Sequence, residues 1–331
     1  MELLFWIGVF IISLFFLVKG ADWFVESSEK LGLIMGLSPF IVGVTIVALG
    51  TSLPELVTGI SAVLKGATEI VTANAIGSNI ANILLVLGVS ALFAGKLIIS
   101  RSLIDIDLPL LLVASFLFLG TAWDGQISWQ EAILLLVAFF IYFFYSVTQR
   151  AGKEESQEVS ILPAREKRHL RSIEEENLKS KPKFNWKIIL FLTLGSLALY
   201  FGAHYIIEST LRISEILKIV PAVVAITAIA VGTSLPELVV SVQAARRRKY
   251  ELAVGNALGS NIFNILVVVG IPALISDLVL EEETKLLALG VFVAATLFFV
   301  ISGISQRIHR WEGAIYLLFY AFFIGKLFNL L

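Results

Sequence analysis

Apolar residues run through this chain in long unbroken blocks separated by short polar clusters. No stretch shows the ~10-residue polar/apolar alternation of a membrane-barrel strand. Ten blocks approach or exceed the ~20 residues a helix needs to cross a bilayer. They lie near 3–24, 39–64, 70–94, 103–121, 129–148, 186–207, 220–245, 251–275, 285–302 and 312–329. The pattern predicts an all-α integral membrane protein of ten transmembrane helices. Met1-Glu2 is not a basic leader, and the first block runs on to Lys19, so it reads as a span and not as a cleavable signal peptide.

One segment breaks the pattern. From Gln149 to Lys187 there are ten Lys/Arg against seven Glu, with no aromatic before Phe184. Too short and too poor in apolar residues to bury a core of its own, the 149–186 segment reads as a solvated linker. It separates residues 1–148 from residues 187–331, five predicted spans on each side, and these halves are copies. Gly50 and Gly232, Glu55 and Glu237, Gly77 and Gly259, and Asn82 and Asn264 are each 182 positions apart. The same separation links Gly20 to Gly202 and Trp129 to Trp311. A constant spacing over whole halves means duplication. With an odd number of spans per copy, the second enters the bilayer from the opposite side, giving inverted repeats of the kind used by transporters.

Composition and charge sharpen this reading. The chain is 58% hydrophobic and 15% charged with a mean hydropathy of +0.91, against about 45–50% and about 25% for soluble domains. Without cysteine there is no disulfide, thiolate metal site or cysteine nucleophile. A net charge of −1 offers no nucleic-acid surface. Lys30, Lys96, Arg101, Arg246-Arg247-Arg248-Lys249, Arg307 and Arg310 share a face with the linker, whereas the other face carries only Lys65, Arg212, Lys218, Lys285 and Lys326. The positive-inside rule therefore predicts a cytoplasmic linker and both termini outside. Asp105 and Asp107 are expected at the headgroups, and lone His204 at an interface.

The candidate chemistry sits in the second, third, seventh and eighth spans. Ala48-Leu49-Gly50-Thr51-Ser52-Leu53-Pro54-Glu55 recurs as Ala230-Val231-Gly232-Thr233-Ser234-Leu235-Pro236-Glu237. Proline frees the carbonyl four residues back, and a freed carbonyl in lipid is costly unless it lines a cavity. Thr51, Ser52, Thr233 and Ser234 add hydroxyl oxygens at that depth, and a break in each central helix is expected. Glu55 and Glu237 add charge inside a span, which costs roughly 2.5–3.5 kcal/mol on insertion scales. Inverted symmetry should bring the two glutamates together near the midplane. Carboxylates among neutral oxygens suit calcium or sodium and suit zinc or copper poorly. Asn74-Ala75-Ile76-Gly77-Ser78-Asn79-Ile80-Ala81-Asn82 likewise recurs as Asn256-Ala257-Leu258-Gly259-Ser260-Asn261-Ile262-Phe263-Asn264. Ser78 and Asn82, and Ser260 and Asn264, share a helix face at i, i+4 and read as cation ligands. Asn79 and Asn261 point away and read as polar contacts between helices. Gly77 and Gly259 would allow close approach.

These doubled motifs resemble the two alpha-repeats of the sodium/calcium exchanger family, in the cation/calcium antiporter superfamily, as a minimal ten-span prokaryotic-type exchanger. The alpha-repeats would cover about 39–94 and about 220–275. The resemblance implies four central cation sites, one for calcium and the others for sodium, reached by alternating access. It implies Glu55 and Glu237 as the calcium carboxylates, assisted by Thr51 and Thr233. Ser52, Ser234, Ser78 and Ser260, with the carbonyls of Ala48 and Ala230, would complete the sodium sites, with Asn82 and Asn264 in the middle. Some relatives, including potassium-dependent exchangers, carry Asp where this chain has Asn264, so a negative charge is missing here.

The expected function is sodium-for-calcium antiport across the cell membrane, expected to be electrogenic, with no cofactor and with a monomer sufficient. Calcium/proton or potassium-dependent calcium antiport is the alternative within the superfamily; hydroxyl-rich clusters argue against the proton, which needs only a carboxylate. Neither Gly-x-Ser-x-Gly nor His-Glu-x-x-His is present, which argues against a membrane enzyme. The converging ligands argue against a channel, whose groups would form rings along an axis.

Overall fold

The computed structural model describes residues 2–98, 107–148, 184–217, 234–280 and 282–327. Seven of the described helical segments are long and apolar enough to span a bilayer: Glu2–Met35, Pro39–Leu64, Glu69–Ala94, Trp129–Ser146, Trp186–Ile213, Tyr250–Ala273 and Lys285–Ile304. Leu108–Thr121, Leu235–Arg246 and Arg310–Leu327 add further helices. The chain is a helical, multi-pass membrane protein. Much of the expected linker and the 218–233 stretch lie outside the described residues.

Helix ends differ from expectation where polar residues continue a helix. The first runs Glu2–Met35 rather than ending near residue 24, and its repeat counterpart runs Trp186–Ile216 rather than ending near residue 207. At 1.5 Å per residue the 34-residue first helix is about 50 Å long, well beyond the ~30 Å hydrocarbon core. Glu26–Lys30 and Arg212–Glu215 pairs stabilise the polar extensions along the helix surface. These two helices lie against each other at the periphery. Only 17% of the first span's most apolar window and 28% of the sixth's are buried, against 100% for Tyr250–Ala273. The protein core is therefore built around Tyr250–Ala273, and the peripheral pair turns its other faces to lipid.

Glycine sets how closely the helices approach. A Cβ on Gly20 would come 3.0 Å from the backbone nitrogen of Leu199, and one on Gly202 would come 2.9 Å from that of Leu17. Both members of each pair shift by 182 positions to give the other pair. At the core, a Cβ on Gly43 would stand 2.6 Å from the Leu252 carbonyl and one on Gly255 2.7 Å from the Phe40 carbonyl. Gly259 faces Val44 and Ala48 as tightly, as expected, whereas nothing lies within 4 Å of a Cβ built on Gly77, where the expected close approach is not found.

Two short antiparallel ladders qualify the all-α expectation. Lys96–Ile98 pairs with Arg307–His309, and Gln126–Ile127 pairs with Leu278–Val279. Leu97 faces Ile308 and Gln126 faces Val279, registers that interconvert under the same 182-residue shift. Each ladder joins a loop of one half to a loop of the other.

The break expected at Pro54 takes a different form; most of the second copy's motif lies outside the described residues. Ser38 accepts from the Ile41 N–H at 3.4 Å and Pro39 opens the second span, a favourable helix start. The backbone stays helical from there to Leu64, Thr51–Glu55 included, with Pro54 inside the Ala48–Leu64 helix. The irregularity is a π segment, Gly43–Val47, just upstream. Further π segments occupy Ala81–Leu87 and Asn264–Val268. A π turn widens the helix without cutting it, so the backbone stays bonded while its side chains are re-aimed. Asp107 corrects another expectation: it is buried at the start of Leu108–Thr121, where the positive end of the helix favours an anion. His204 is exposed and stacked on Tyr200, as an interfacial residue would be.

Replacing Gly202 by alanine should drive a methyl into the Leu17 backbone and destabilise the protein by about 1–3 kcal/mol. Gly290 has open space, with no atom within 4 Å of a built Cβ, and Gly290→Ala should be neutral or gain up to about 1 kcal/mol of helix propensity. Thermal unfolding of the two variants in detergent checks this; equal shifts would contradict the packing role of Gly202.

Candidate cation site

Ala48, Thr51, Ser52 and Glu55 all lie on the Ala48–Leu64 helix, and all four are buried. Spacings of three and four residues stack them along one face. Ser234 and Glu237 come from the second half, Ser234 at the N-cap position and Glu237 in the first turn of Leu235–Arg246. Proline at the second helical position suits that start, since the N–H it lacks would be an orphan there anyway. A carboxylate in a first turn also meets the favourable end of the helix dipole. Glu55, by contrast, sits mid-helix without that help.

The halves meet directly at these residues. Ser52 Oγ donates to Glu237 Oε1 at 2.9 Å. Glu55 follows Ser52 by three residues on the same face, so the two carboxylates occupy one neighbourhood. Glu55 is 2% exposed and Glu237 is 0% exposed, values that rule out snorkelling to water. Neither lies within salt-bridge distance of a described cationic side chain.

The other ligand candidates surround them. Ser260 and Asn264 come from Tyr250–Phe263 and the π segment after it, and Ser78 and Asn82 from the corresponding places in the first half. All four are buried. The π segment at 81–87 packs against Leu235–Arg246, while that at 264–268 packs against Ala48–Leu64 and Glu69–Ile80. Each asparagine-bearing segment thus lies against the proline–glutamate helix of the other half. Thr51 Oγ1 lies 3.5 Å from Ser260 Oγ. Ala230 and Thr233 lie outside the described residues.

Several buried polar atoms have no hydrogen-bond partner among the described residues. They include both oxygens of Glu55, Oε2 of Glu237, Ser234 Oγ, and the side-chain oxygens and nitrogens of Asn82 and Asn264. An orphaned buried carboxylate is among the most costly groups a protein can hold. The donor set is oxygen throughout, and no cluster of three or more His, Cys, Asp or Glu occurs among the described residues. Hard cations fit such a set, and soft transition metals do not.

Asn79 and Asn261 behave differently from expectation. Asn79 Nδ2 donates to Ala75 O at 2.7 Å within its own helix, and Asn261 has no side-chain hydrogen bond among the described residues. Neither makes an interhelical hydrogen bond among the described residues.

Asn256 was not singled out by the sequence. Its Oδ1 accepts from Thr51 Oγ1 at 3.2 Å, while Nδ2 donates to Ser241 Oγ at 2.9 Å and to the Glu237 carbonyl at 3.4 Å. The available signal was repetition: Asn74 and Asn256 open the two copies of one motif, 182 positions apart. Ser241 gave no such signal, since its counterpart is Gly59.

Comparison with known proteins places this geometry in context. The family profile described as sodium/calcium exchanger protein matches residues 5–148 and 187–328. Sodium/calcium exchanger MaX1 of Methanosarcina acetivorans is 33% identical, over 97% of this chain and 97% of its own length. Inner membrane protein YrbG of Escherichia coli is 32% identical over 81% of this chain and 79% of its own. A structure of the sodium-calcium exchanger NCX_Mj soaked with zero Na+ and Ca2+ superposes with a TM-score of 0.80 at 31% identity, covering 98% of this chain and 99% of the other. A profile match on both sides of the linker, together with full-length relatives, shows that this chain belongs to the sodium/calcium exchanger family.

Proposed function

We propose that this protein is a secondary active antiporter that exchanges sodium for calcium across the cell membrane by alternating access. The hydrogen bond from Ser52 to Glu237 carries the reading. It joins the two halves at the two buried carboxylates, inside a set of neutral oxygens. One calcium ion takes about 6–8 oxygens and needs charge compensation in a dry site. Glu55 and Glu237 supply that charge, with Thr51 and Thr233 as neutral partners. Ser52, Ser234, Ser78 and Ser260, with the carbonyls of Ala48 and Ala230, serve sodium, and Asn82 and Asn264 complete the centre. The family membership and the exchangers among its relatives support the same ions.

Two inverted five-helix halves, related by an axis in the membrane plane, form the transporter in this proposal. The reciprocal glycine contacts and the matching ladder registers support it. Rocking one part of such an assembly against another exposes a central site to either side in turn. The 149–186 linker is then cytoplasmic and both termini are outside.

Charge counting makes the exchange electrogenic. Two carboxylates balance one calcium ion, and the three sodium ions that the family resemblance implies for the opposite half-cycle leave one net charge to move. Asn264 supplies no third carboxylate to absorb it. The same missing charge disfavours potassium co-transport.

Glu55→Gln and Glu237→Gln should each reduce sodium-driven calcium uptake into proteoliposomes to background. Their melting temperatures should be unchanged or higher, since each loses a desolvated charge. Near-normal flux in either variant would refute the two-carboxylate site. In sodium-loaded vesicles, an inside-positive potassium diffusion potential should accelerate calcium uptake and an inside-negative one should slow it. One charge is worth ~2.3 kcal/mol per 100 mV. Rates indifferent to potential would mean electroneutral exchange.

A further inference from the structure

Asn256 is fully buried on Tyr250–Phe263, one turn before Ser260. Its amide can be oriented in one way only. The Glu237 carbonyl 3.4 Å away accepts but cannot donate, so the NH2 group must face it, and the same group reaches Ser241 Oγ at 2.9 Å. Ser241 Oγ in turn donates to the Ala253 carbonyl at 3.4 Å. The remaining oxygen, Oδ1, is thereby fixed toward Thr51 Oγ1 at 3.2 Å.

That fixed oxygen is the nearest of the acceptors open to the single hydroxyl hydrogen of Thr51. A hydroxyl can give its lone pairs to a cation only while its hydrogen points elsewhere. Thr51 has other acceptors within reach, the Ala48 carbonyl at 3.3 Å and Ser260 Oγ at 3.5 Å, and both are candidate cation ligands. A hydrogen bond to Ala48 O would compete with the ion for that oxygen. Resting on the proposed antiport site, we infer that Asn256 is a positioning residue that holds the Thr51 hydrogen away from the cation and leaves the Ala48 carbonyl free. It also ties the backbone at Glu237 to the same amide, coupling a ligand from each half. The first half lacks this anchor: Gly59 stands where Ser241 does, and Asn74 Nδ2 has no partner among the described residues.

A double-mutant cycle in the full-length protein tests this. Asn256→Ala and Thr51→Val are made singly and together, and half-saturating sodium and calcium are measured in proteoliposomes. Each single variant should weaken ion affinity by about tenfold, as expected for losing one hydrogen bond at a charged site. The double variant should be no weaker than Thr51→Val, because Asn256 acts through that hydroxyl. Asn256→Gln keeps both an acceptor oxygen and the NH2 group without adding charge; it should retain affinity better than Asn256→Ala and covers the case in which the alanine variant fails to fold. Multiplying losses in the double variant, or equal losses in the Gln and Ala variants, would overturn the positioning role while leaving the antiport site standing. Unchanged affinity in Thr51→Val would overturn both.

Discussion

Two carboxylates are sealed inside a membrane protein with no described cationic side chain to neutralise them, and that constraint organises the rest of the molecule. In water a glutamate is indifferent to its neighbours. In a low-dielectric core it must be protonated or paired, and a permanent lysine or arginine partner would close the site to travelling ions. The surrounding residues are accordingly neutral. Hydroxyls, amides and carbonyls can satisfy a cation while it is bound, yet cannot replace its charge. A centre of this kind favours small hard ions and has a reason to release one only in favour of another.

Packing follows from the need to assemble that centre from several spans. Gly43, Gly255 and Gly259 let Pro39–Ala48 approach Tyr250–Phe263 backbone to backbone, which sets Thr51 beside Asn256 and Ser260. The π segments bring Asn82 and Asn264 into the interior without severing their helices, so no run of unpaired backbone is left in lipid. Of the peripheral pair, Glu2–Met35 is tied to the core partly by polar contacts. Asp22 meets Gln243 and Arg247, and Glu29 meets Lys249. The repeat counterpart of Asp22 is His204, which instead lies beside Glu208 and Tyr200 on its own helix. Repeat symmetry therefore holds for the glycine contacts and ladders but not for these charges.

Much of this was legible in the sequence because the strongest signals are physically exclusive. Membrane helices need long apolar runs, and a Glu inside such a run needs a reason. The 182-residue spacing pairs Glu55 with Glu237 in the sequence alone. Features that depend on local backbone register were not legible. Pro54 suggested a break, whereas the helix absorbs the lost bond and widens upstream at Gly43–Val47. Asp107 looked interfacial because hydropathy does not report which side of a helix faces protein. Asn256 stood in plain view within a repeated motif, but its role depends on Ser241 and the Glu237 carbonyl, contacts between helices that no spacing rule predicts.

The central claim is that one set of oxygens serves calcium and sodium in turn. Two carboxylates cannot hold a divalent ion and a full complement of sodium at close range without strong repulsion. Calcium binding to the purified protein, measured at equilibrium over a series of sodium concentrations, tests this most directly. The apparent Kd for calcium should rise with more than the first power of sodium concentration, whereas a calcium Kd that ignores sodium would contradict a shared set of oxygens.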